Sequence, residues 1–430
     1  MADRPSGLAS SPRPPGRARW PVRLVVVLAL ATVSCGSGAG GGVPTLTWYV
    51  FDEPSGAYAE AARDCTEQAA GRYRIEMAAL PSSADQQREQ LVRRLAAEDS
   101  DIDIMGMDVI WTGEFAEAGW LLPWEGTAAA GVTDGVPGPI VDSATYEDQL
   151  WVAPFTTNTQ LLWYRTDRVP EPPETWEEMV RMAESIGPDG TIQVQGARFE
   201  GLTVWFNSLI ASAGGSIIEG AGDDAEVALG EPAIQAMEVM QRVARSQAAD
   251  PTLSNAMEDQ GRLAFESGGS SFMVNYPFVY PSAEENAPEV FQHLGWARWP
   301  AVVAGEPSRP PLGGINLGVG AFSDQPDLAF EAATCIRSAP HQIIAAVDGG
   351  LAPTISSLFD TPEVQAAFPF ADVLQESLQD AAPRPVSPAY NDISLAVQRV
   401  LHPPDAIRPR EDVAVLEDRV NQALESRGLL

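Results

Sequence analysis

Lysine is absent from this 430-residue chain, so all 27 of its basic residues are arginines, against 59 Asp and Glu. The formal charge is therefore -32. A surface of this sign repels the phosphates of nucleic acid and of anionic membranes, which argues against either as a partner. The absence of lysine indicates the codon usage of a GC-rich genome, and we infer no function from it.

Cysteine and histidine are scarce, with three of each. So few thiol and imidazole ligands argue against a zinc site, and we expect neither a metal nor another cofactor. The chain also lacks the GxSxG, P-loop, HExxH and glycine-rich dinucleotide motifs. Their absence removes the usual sequence evidence for several hydrolase and nucleotide-binding classes.

An apolar run long enough to span a bilayer as a mature helix is also missing. Residues 24–33 form an apolar run of about ten residues, preceded by four arginines between positions 13 and 23. That length is too short for a membrane-spanning helix but suits the central region of a signal peptide. We predict a signal peptide over 1–34 and a linker over 35–43.

Cys35 follows the apolar region after Ser34 and precedes the Gly/Ser stretch 36–42. The arrangement is similar to the lipobox of bacterial lipoproteins, which implies that Cys35 is lipidated and becomes the mature N-terminus. Thr32 departs from that motif, which usually has leucine there, and ordinary secretion with cleavage nearby is the alternative. In both cases the protein is exported. The lipid would anchor it to the outer face of the cytoplasmic membrane.

Length and composition predict a globular protein built from two lobes. A chain of 430 residues exceeds what one hydrophobic core usually supports. Apolar residues make up 45% of the chain and aromatic residues 8%, which is ample for burial.

The first part of the chain alternates strands and helices. Strands are predicted over 46–50, 73–77 and 102–108, and helices over 57–70 and 84–97. This order predicts an α/β lobe with a largely parallel sheet. Ligands of such sheets lie beyond the carboxyl ends of the strands, where Asp52, Glu53 and Asp108 fall.

The stretch Trp151–Arg165 is an apolar strand interrupted by polar residues around Asn158. Such a break predicts a chain crossing between two lobes, with the amide of Asn158 pointing into the cleft. Further crossings are predicted near Gly313 and Gly350. The predicted N-terminal lobe comprises 44–156 and 312–350, and the C-terminal lobe comprises 157–311 and 351–430. Elsewhere we predict helices over 176–186, 201–213, 231–244, 260–267 and 326–338, strands over 271–276 and 312–319, and loops over 131–146 and 300–311.

Three segments carry a resemblance to a known family: 161–178, the helix of 328–343 running into 349–353, and Ala389-Tyr390 with the final helices. Together they resemble the extracellular solute-binding proteins of ABC importers, in the sugar-binding family. The resemblance implies an α/β, two-lobed periplasmic-binding-protein-like fold of type II, the maltose-binding-protein-like type. Crossing strands would form a hinge beside a ligand cleft. It also implies a monomer that is not an enzyme and that delivers ligand to ABC permease subunits with a cytoplasmic ATPase.

Within that family the chain is most similar to the trehalose-binding lipoproteins of mycobacterial trehalose-recycling importers. The segments that match are 108–112 with 114–120, 156–165, 200–207 and 262–266. The resemblance implies capture of a disaccharide, with trehalose first and another oligosaccharide such as maltose as the alternative. Two differences leave the exact sugar open: the region 285–313 is shorter here, and Tyr276 replaces a tryptophan.

Cys65 and Cys335 remain as a pair if Cys35 carries lipid. In an oxidising compartment they form a disulfide or stay as two buried thiols. The similar lipoproteins also have cysteines at these places, which favours the disulfide.

A sugar site needs polar groups that match the ligand's hydroxyls, because each unmatched buried polar group costs about 1–3 kcal/mol. Carboxylates accept from two hydroxyls, and the CH faces of sugars pack on aromatic rings. The candidate binding residues, partly from the residues and partly from the resemblance, are Asp52, Glu53, Asp108, Asn158, Glu258, Tyr276, Gly313, Gly314 and Arg384.

The acidic and amide candidates each have a structural alternative. Asp108 and Glu258 stand where a carboxylate also stabilises a helix N-terminus. Asn158 could stabilise a turn at the crossing. Asp52 and Glu53 could form an ordinary acidic loop.

The remaining candidates have structural alternatives as well. Tyr276 is a stacking platform for a sugar ring or a plain core residue. Gly313 and Gly314 allow close approach of backbone N–H donors to a ligand, or form a simple tight turn. Arg384 lies between two prolines. Its guanidinium either donates to two hydroxyls of the ligand or forms a salt bridge between the lobes.

Two further functional classes stay open from the residues alone. A secreted glycosidase would need two carboxylates about 5–9.5 Å apart, for which Asp108 and Glu258 are candidates. A binding protein for polyamines or another cation would use the acidity, and it predicts unpaired carboxylates in the cleft with Arg384 elsewhere.

Overall fold

The computed structural model describes residues 42–81 and 83–426. The predicted signal peptide, Cys35 and nearly all of the linker over 35–43 lie outside these residues. No helix among the described residues is both long and apolar enough to cross a membrane.

The strands, in chain order, are β1 (Thr45–Phe51), β2 (Arg74–Leu80), β3 (Ile104–Asp108), β4 (Thr145–Tyr146), β5 (Gln149–Leu150), β6 (Val152–Asn158), β7 (Leu161–Arg165), β8 (Thr191–Gln193), β9 (Ile218–Glu219), β10 (Glu226–Val227), β11 (Ser270–Asn275), β12 (Leu294–Ala297), β13 (Gly313–Val319) and β14 (Ala352–Pro353).

The α-helices follow the same order. They are α1 (Ala57–Gln68), α2 (Ala84–Leu95), α3 (Thr112–Glu117), α4 (Gly126–Thr133), α5 (Gly138–Ser143), α6 (Trp176–Ile186), α7 (Glu200–Ser212), α8 (Gly230–Arg245), α9 (Glu258–Glu266), α10 (Val279–Asn286), α11 (Pro288–Phe291), α12 (Pro326–Ile336), α13 (Ala339–Gly349), α14 (Pro362–Ala367), α15 (Ala371–Gln379), α16 (Tyr390–Leu401) and α17 (Pro409–Ser426).

A six-stranded sheet with the order β14-β6-β13-β3-β1-β2 forms the centre of what we call the first lobe. Strands β1, β2, β3 and β6 run in one direction, and β13 and β14 run in the other. The alternation of strands and helices correctly predicted the parallel part. The antiparallel strands come from late in the chain, so the sheet is mixed.

Aromatic packing fixes α1 on this sheet. Trp48 of β1 and Tyr58 of α1 have ring centroids 5.4 Å apart, and Tyr58 lies 5.2 Å from Phe155 of β6. All three side chains are buried, so each contributes about 1.5–3 kcal/mol or more of apolar burial. A disulfide between Cys65 and Cys335 joins α1 to α12, which confirms the predicted pair.

A four-stranded sheet with the order β12-β7-β11-β8 forms the centre of the second lobe. Its core holds Trp176 of α6, whose ring centroid lies 5.0 Å from that of Trp299 and 5.8 Å from that of Trp205. Helix α6 begins where predicted because the side chain of Thr175 accepts a hydrogen bond from the backbone N–H of Glu178.

The predicted crossing at Trp151–Arg165 is confirmed. Strand β6 ends at Asn158 in the first lobe's sheet, and β7 begins at Leu161 in the second lobe's sheet. Strand β13 returns the chain to the first sheet at Gly313. Strand β14 still pairs with β6 at Ala352, two residues beyond position 350, where the predicted N-terminal lobe ends. The other lobe boundaries stay predictions.

Several regions differ from the predicted elements, among them the unpredicted strands β8, β9 and β10. Residues 131–146 were predicted as a loop because they are rich in glycine and proline, but they contain the end of α4, all of α5 and β4. Helix α5 tolerates its proline because Pro139 stands in the first turn, where no backbone N–H is needed. Helices α10 and α11 and strand β12 were not predicted at all.

Candidate functional site

Asp108 lies at the carboxyl end of β3, as predicted. Its Oδ1 accepts a hydrogen bond from the backbone N–H of Ile110 at 3.2 Å, so it also caps the short 3-10 helix that follows. Burial raises the pKa of Asp108 above its ordinary value, while the guanidinium of Arg384 opposes this rise. The carboxylate therefore has a structural role and a charged partner at once.

Arg384 joins the carboxylates of Asp108 and Glu200. Its Nη1 donates to Glu200 Oε1 at 2.8 Å, and its Nη2 lies 3.5 Å from Asp108 Oδ1. The side chain is only 7% exposed, and its Nε is buried without a hydrogen-bond partner among the described residues. The salt bridge between the lobes, the structural alternative to a sugar contact for Arg384, is thus present, because Asp108 ends a strand of the first lobe and Glu200 begins α7 of the second. The sugar contact stays a prediction.

Glu200, with Tyr390 and Ser394, belongs to the site residues that sequence reasoning did not assign. Its carboxylate accepts hydrogen bonds from Arg384, from the hydroxyl of Tyr390 and from the hydroxyl of Ser394. A carboxylate in the first turn of a helix is common for electrostatic reasons alone, so its position gave no distinct signal. Its place inside the matching segment 200–207 was the available hint.

Tyr276 and Glu258 approach this network from the second lobe. Asn275 links them, since its Nδ2 donates to the backbone carbonyl of Glu258 at 2.9 Å and its Oδ1 accepts from the N–H of Tyr276 at 2.9 Å. Burial raises the pKa of both Tyr276 and Glu258. Arg384 opposes the rise at Tyr276 and nearby carboxylates add to it, which places Tyr276 within electrostatic range of the network.

The ring of Tyr276 is half-buried and is absent from the hydrophobic clusters formed by the described residues. It also stacks on no other aromatic ring within the part of the chain that the structure describes. Both observations favour the role of a ligand platform over plain core packing.

Asn158 and Gly313 lie opposite each other in β6 and β13. The Oδ1 atom of Asn158 is buried and has no hydrogen-bond partner among the residues described. Gly314 has φ +138°, and a Cβ there would meet the carbonyl oxygen of Thr156 at 2.3 Å. The sheet itself therefore requires glycine at position 314.

Asp52 and Glu53 are not tied to the network around Arg384. Glu53 Oε1 accepts from the N–H of Ser55 at 2.8 Å, and its Oε2 accepts from the N–H of Ala57 at 3.0 Å. Both oxygens are thus used to hold the start of α1. Asp52 is exposed at the end of β1.

A cavity of about 430 Å³ opens beside Asp108 between the two lobes. Ile110 and Trp111 line it from the first lobe, and Glu200 and Tyr390 line it from the second. This volume lies within the usual range for small-molecule sites. Of the predicted binding residues, Asp108 lines the cavity, whereas Asn158, Glu258, Tyr276 and Arg384 do not.

One group of described residues has the geometry of metal ligands but does not suit a metal ion. Among the described residues, the group with metal-ligand geometry is Cys65, Cys335 and His341. The two sulfurs are bonded to each other in the disulfide and are not free thiolates.

Comparison with known proteins identifies the class that this fold and cleft define. Residues 34–343 match the family described as bacterial extracellular solute-binding protein. The chain belongs to this family, whose members bind solutes and are not enzymes.

A relative from Deinococcus radiodurans, described as a probable ABC transporter-binding protein, is 29% identical over 76% of this chain and 81% of its own. The structure of maltose-bound MalE3 from T. maritima is similar, with TM-score 0.74, 24% identity and coverage of 88% of this chain and 99% of that one. The GacH receptor of Streptomyces glaucescens GLA.O, solved unliganded and with acarbose, has TM-score 0.75, 21% identity and coverage of 89% and 98%. These likenesses confirm the predicted two-lobed, maltose-binding-protein-like fold.

Proposed function

We propose that this protein captures a neutral disaccharide, trehalose in the first place, between its lobes and delivers it to an ABC permease. The observation that carries the proposal is the Asp108–Arg384–Glu200 network, in which Arg384 is buried and which joins both lobes beside a cavity lined from both. A ligand that touches this network contacts both lobes at once, so it favours the closed form.

The polar groups suit the hydroxyls of a sugar. Arg384 Nε is a buried donor and Asn158 Oδ1 a buried acceptor, and neither has a partner among the described residues. A ligand hydroxyl can donate and accept, so it satisfies either atom and recovers about 1–3 kcal/mol of desolvation cost. Asp108 would accept from further hydroxyls through charge-assisted bonds.

The apolar face of the sugar would rest on Tyr276. An aromatic ring offers rigid contact area at low entropic cost. Asn275 links the backbone of Glu258 to that of Tyr276. The carboxylate of Glu258 would accept a hydrogen bond from a ligand hydroxyl on the same side. The backbone at Gly313 and Gly314 would approach the ligand from the crossing strands. Asp52 and Glu53 stand as the weaker candidates, because Glu53 already holds the start of α1.

Delivery follows from the family and the predicted export signal. We infer an exported monomer, anchored by lipid on Cys35 to the outer face of the cytoplasmic membrane. Hinge closure would present both lobes to the permease subunits, whose cytoplasmic ATPase drives import. The relative described as a probable ABC transporter-binding protein supports this role.

The second candidate ligand is maltose or a related oligosaccharide. It is favoured by the maltose- and acarbose-bound structures of the same fold. A cation or polyamine ligand is disfavoured, because the guanidinium of Arg384 already pairs with the carboxylates of Asp108 and Glu200.

A thermal-shift screen against a panel of sugars, followed by calorimetry, tests the proposal. A ligand at about 100 times its dissociation constant adds about 2.7 kcal/mol to stability. Trehalose should raise the melting temperature and bind saturably without release of glucose. A response to polyamines alone, or to no sugar in the panel, would contradict the proposed function.

A further inference from the structure

We propose that Glu200 is a positioning residue for sugar binding: it fixes the guanidinium of Arg384 in the cleft and thereby sets how Asp108 and Arg384 meet the ligand. The inference rests on the proposed function and names a residue that acts through another.

The contacts of Glu200 define this role. Its Oε1 accepts from Arg384 Nη1 and from the hydroxyl of Tyr390, and its Oε2 accepts from the hydroxyl of Ser394. All three donors come from the segment 384–394, which contains the start of α16. The carboxylate therefore has a fixed orientation before any ligand arrives.

The supports of Glu200 are themselves held in place. The hydroxyl of Ser394 also bonds the hydroxyl of Thr203 at 2.9 Å and accepts from Gln398 Nε2 at 3.0 Å. Asn207 donates to the carbonyl of Pro383 at 3.2 Å, which ties α7 to the loop that carries Arg384. Such a network holds a side chain more rigidly than one bond would.

Arg384 is left with unequal contacts as a result. Its bond to Glu200 is 2.8 Å, whereas Asp108 and the carbonyl of Leu312 both lie 3.5 Å from Nη2. Glu200 is thus the stronger anchor, and the looser side of the guanidinium faces the first lobe. Nε has no partner among the described residues. A ligand can then bind Nε and the loose side while Glu200 keeps the guanidinium in place.

A double-mutant cycle tests whether Glu200 acts through Arg384. E200Q keeps the shape but removes the charge, and R384M removes the guanidinium. E200Q should weaken trehalose or maltose binding at least about tenfold, and it should change affinity less than about twofold in the R384M background. Additive effects of the two substitutions would overturn the inference.

E184Q is the matched control. Glu184 makes two bonds of 3.0 and 2.9 Å to Arg242, outside the cleft, and its side chain is 31% exposed against 34% for Glu200. Loss of this pair should leave sugar affinity unchanged. Equal weakening by E184Q and E200Q would mean that general destabilisation, not positioning, explains the result.

The pH profile separates positioning from a merely structural role. Asp108 is faced by Arg384, Glu200, Asp85 and Tyr276, and the Glu200 charge contributes to raising the pKa of Asp108. In E200Q the pKa of Asp108 should be lower, so sugar affinity should be lost at a lower pH than in the wild type. General destabilisation of the fold would not shift the pH dependence in this direction.

Y390F serves if E200Q fails to fold, because it removes one bond to Glu200 and keeps the ring. Its affinity should fall between those of the wild type and R384M, and an unchanged affinity would overturn the inference. If the wild type binds no sugar, the proposed function fails separately. The cycle measured on melting temperature without ligand then still tests whether Glu200 holds Arg384, and additive effects of the two substitutions would overturn that contact.

Discussion

Gly313 stands directly opposite Asn158, and a Cβ at position 313 would lie 2.2 Å from Asn158 Oδ1. The absence of a side chain at 313 therefore decides where the amide of Asn158 can lie. G313A should push the amide aside and weaken sugar affinity at least about tenfold, a loss of about 1.4 kcal/mol. Overpacking should also lower the free energy of unfolding by about 1–3 kcal/mol.

G138A is the control for that substitution, because a Cβ at Gly138 would meet nothing within 4 Å. Calorimetry and urea denaturation of both variants give the two quantities. Equal affinities in G313A and the wild type would show that the position of the Asn158 amide does not matter for binding.

Direct removal of the polar groups should also weaken binding. N158A and D108A should each raise the dissociation constant for trehalose about tenfold or more, at a cost of at least about 1.4 kcal/mol. Asn286 donates to a backbone carbonyl on an exposed helix, so N286A should leave affinity unchanged. Wild-type affinity in both folded site variants, measured by calorimetry, would reject this site.

Sugar affinity should fall on acidification at a pH above the ordinary titration range of an aspartate. Burial raises the pKa of Asp108, with Glu200 and Asp85 adding to the rise and Arg384 opposing it. Once it is protonated, the carboxyl of Asp108 no longer forms an ion pair with Arg384. Sugar affinity is therefore lost as the pH falls through the raised pKa of Asp108. D108N should remove that acid limb, which calorimetry at a series of pH values can measure.

The stability of the ligand-free protein should respond to Asp108 with the opposite sign. A carboxyl whose pKa is raised by folding stabilises the folded state in its protonated form, and this contribution is lost as the pH rises through the raised pKa. The difference in unfolding free energy between the wild type and D108N should therefore change in that window. A difference that is constant with pH would mean that Asp108 titrates as it does in the unfolded chain.

Loss of the disulfide should lower stability without changing the site. C65A/C335A removes a cross-link between residues 270 apart in sequence, which is worth about 2–4 kcal/mol in most proteins. Urea denaturation should show this loss, and wild type under a dithiol reductant should match the double variant. Sugar affinity should stay within about twofold of the wild type, because Arg384 bonds to Glu200, Asp108 and Leu312, which lie outside α1 and α12.

The sequence predicted those features that depend on local patterns. The polar interruption around Asn158 located the crossing between the sheets, and the strand–helix alternation located the parallel strands of the first lobe. The disulfide followed from the resemblance to a family and was confirmed. These features need only neighbouring residues or a matching relative.

Other features depend on contacts between distant segments and could not be predicted. Glu200 bonds to Arg384, which is 184 residues away in sequence. The residues next to either position do not predict this contact. Glu53 looked like a candidate for the cleft, but its oxygens hold the start of α1. Proline and glycine composition predicted a loop over 131–146, whereas Pro139 occupies the first turn of a helix.

The position of β13 has a consequence for the order in which the protein can fold. This strand lies between β3 and β6 in the middle of the first sheet, yet it begins at Gly313, after the sheet residues of the second lobe have been made. Until it arrives, β3 and β6 have no common neighbour, and pairing across such a sequence distance is slow. The first lobe therefore stays incomplete until most of the chain has been synthesised.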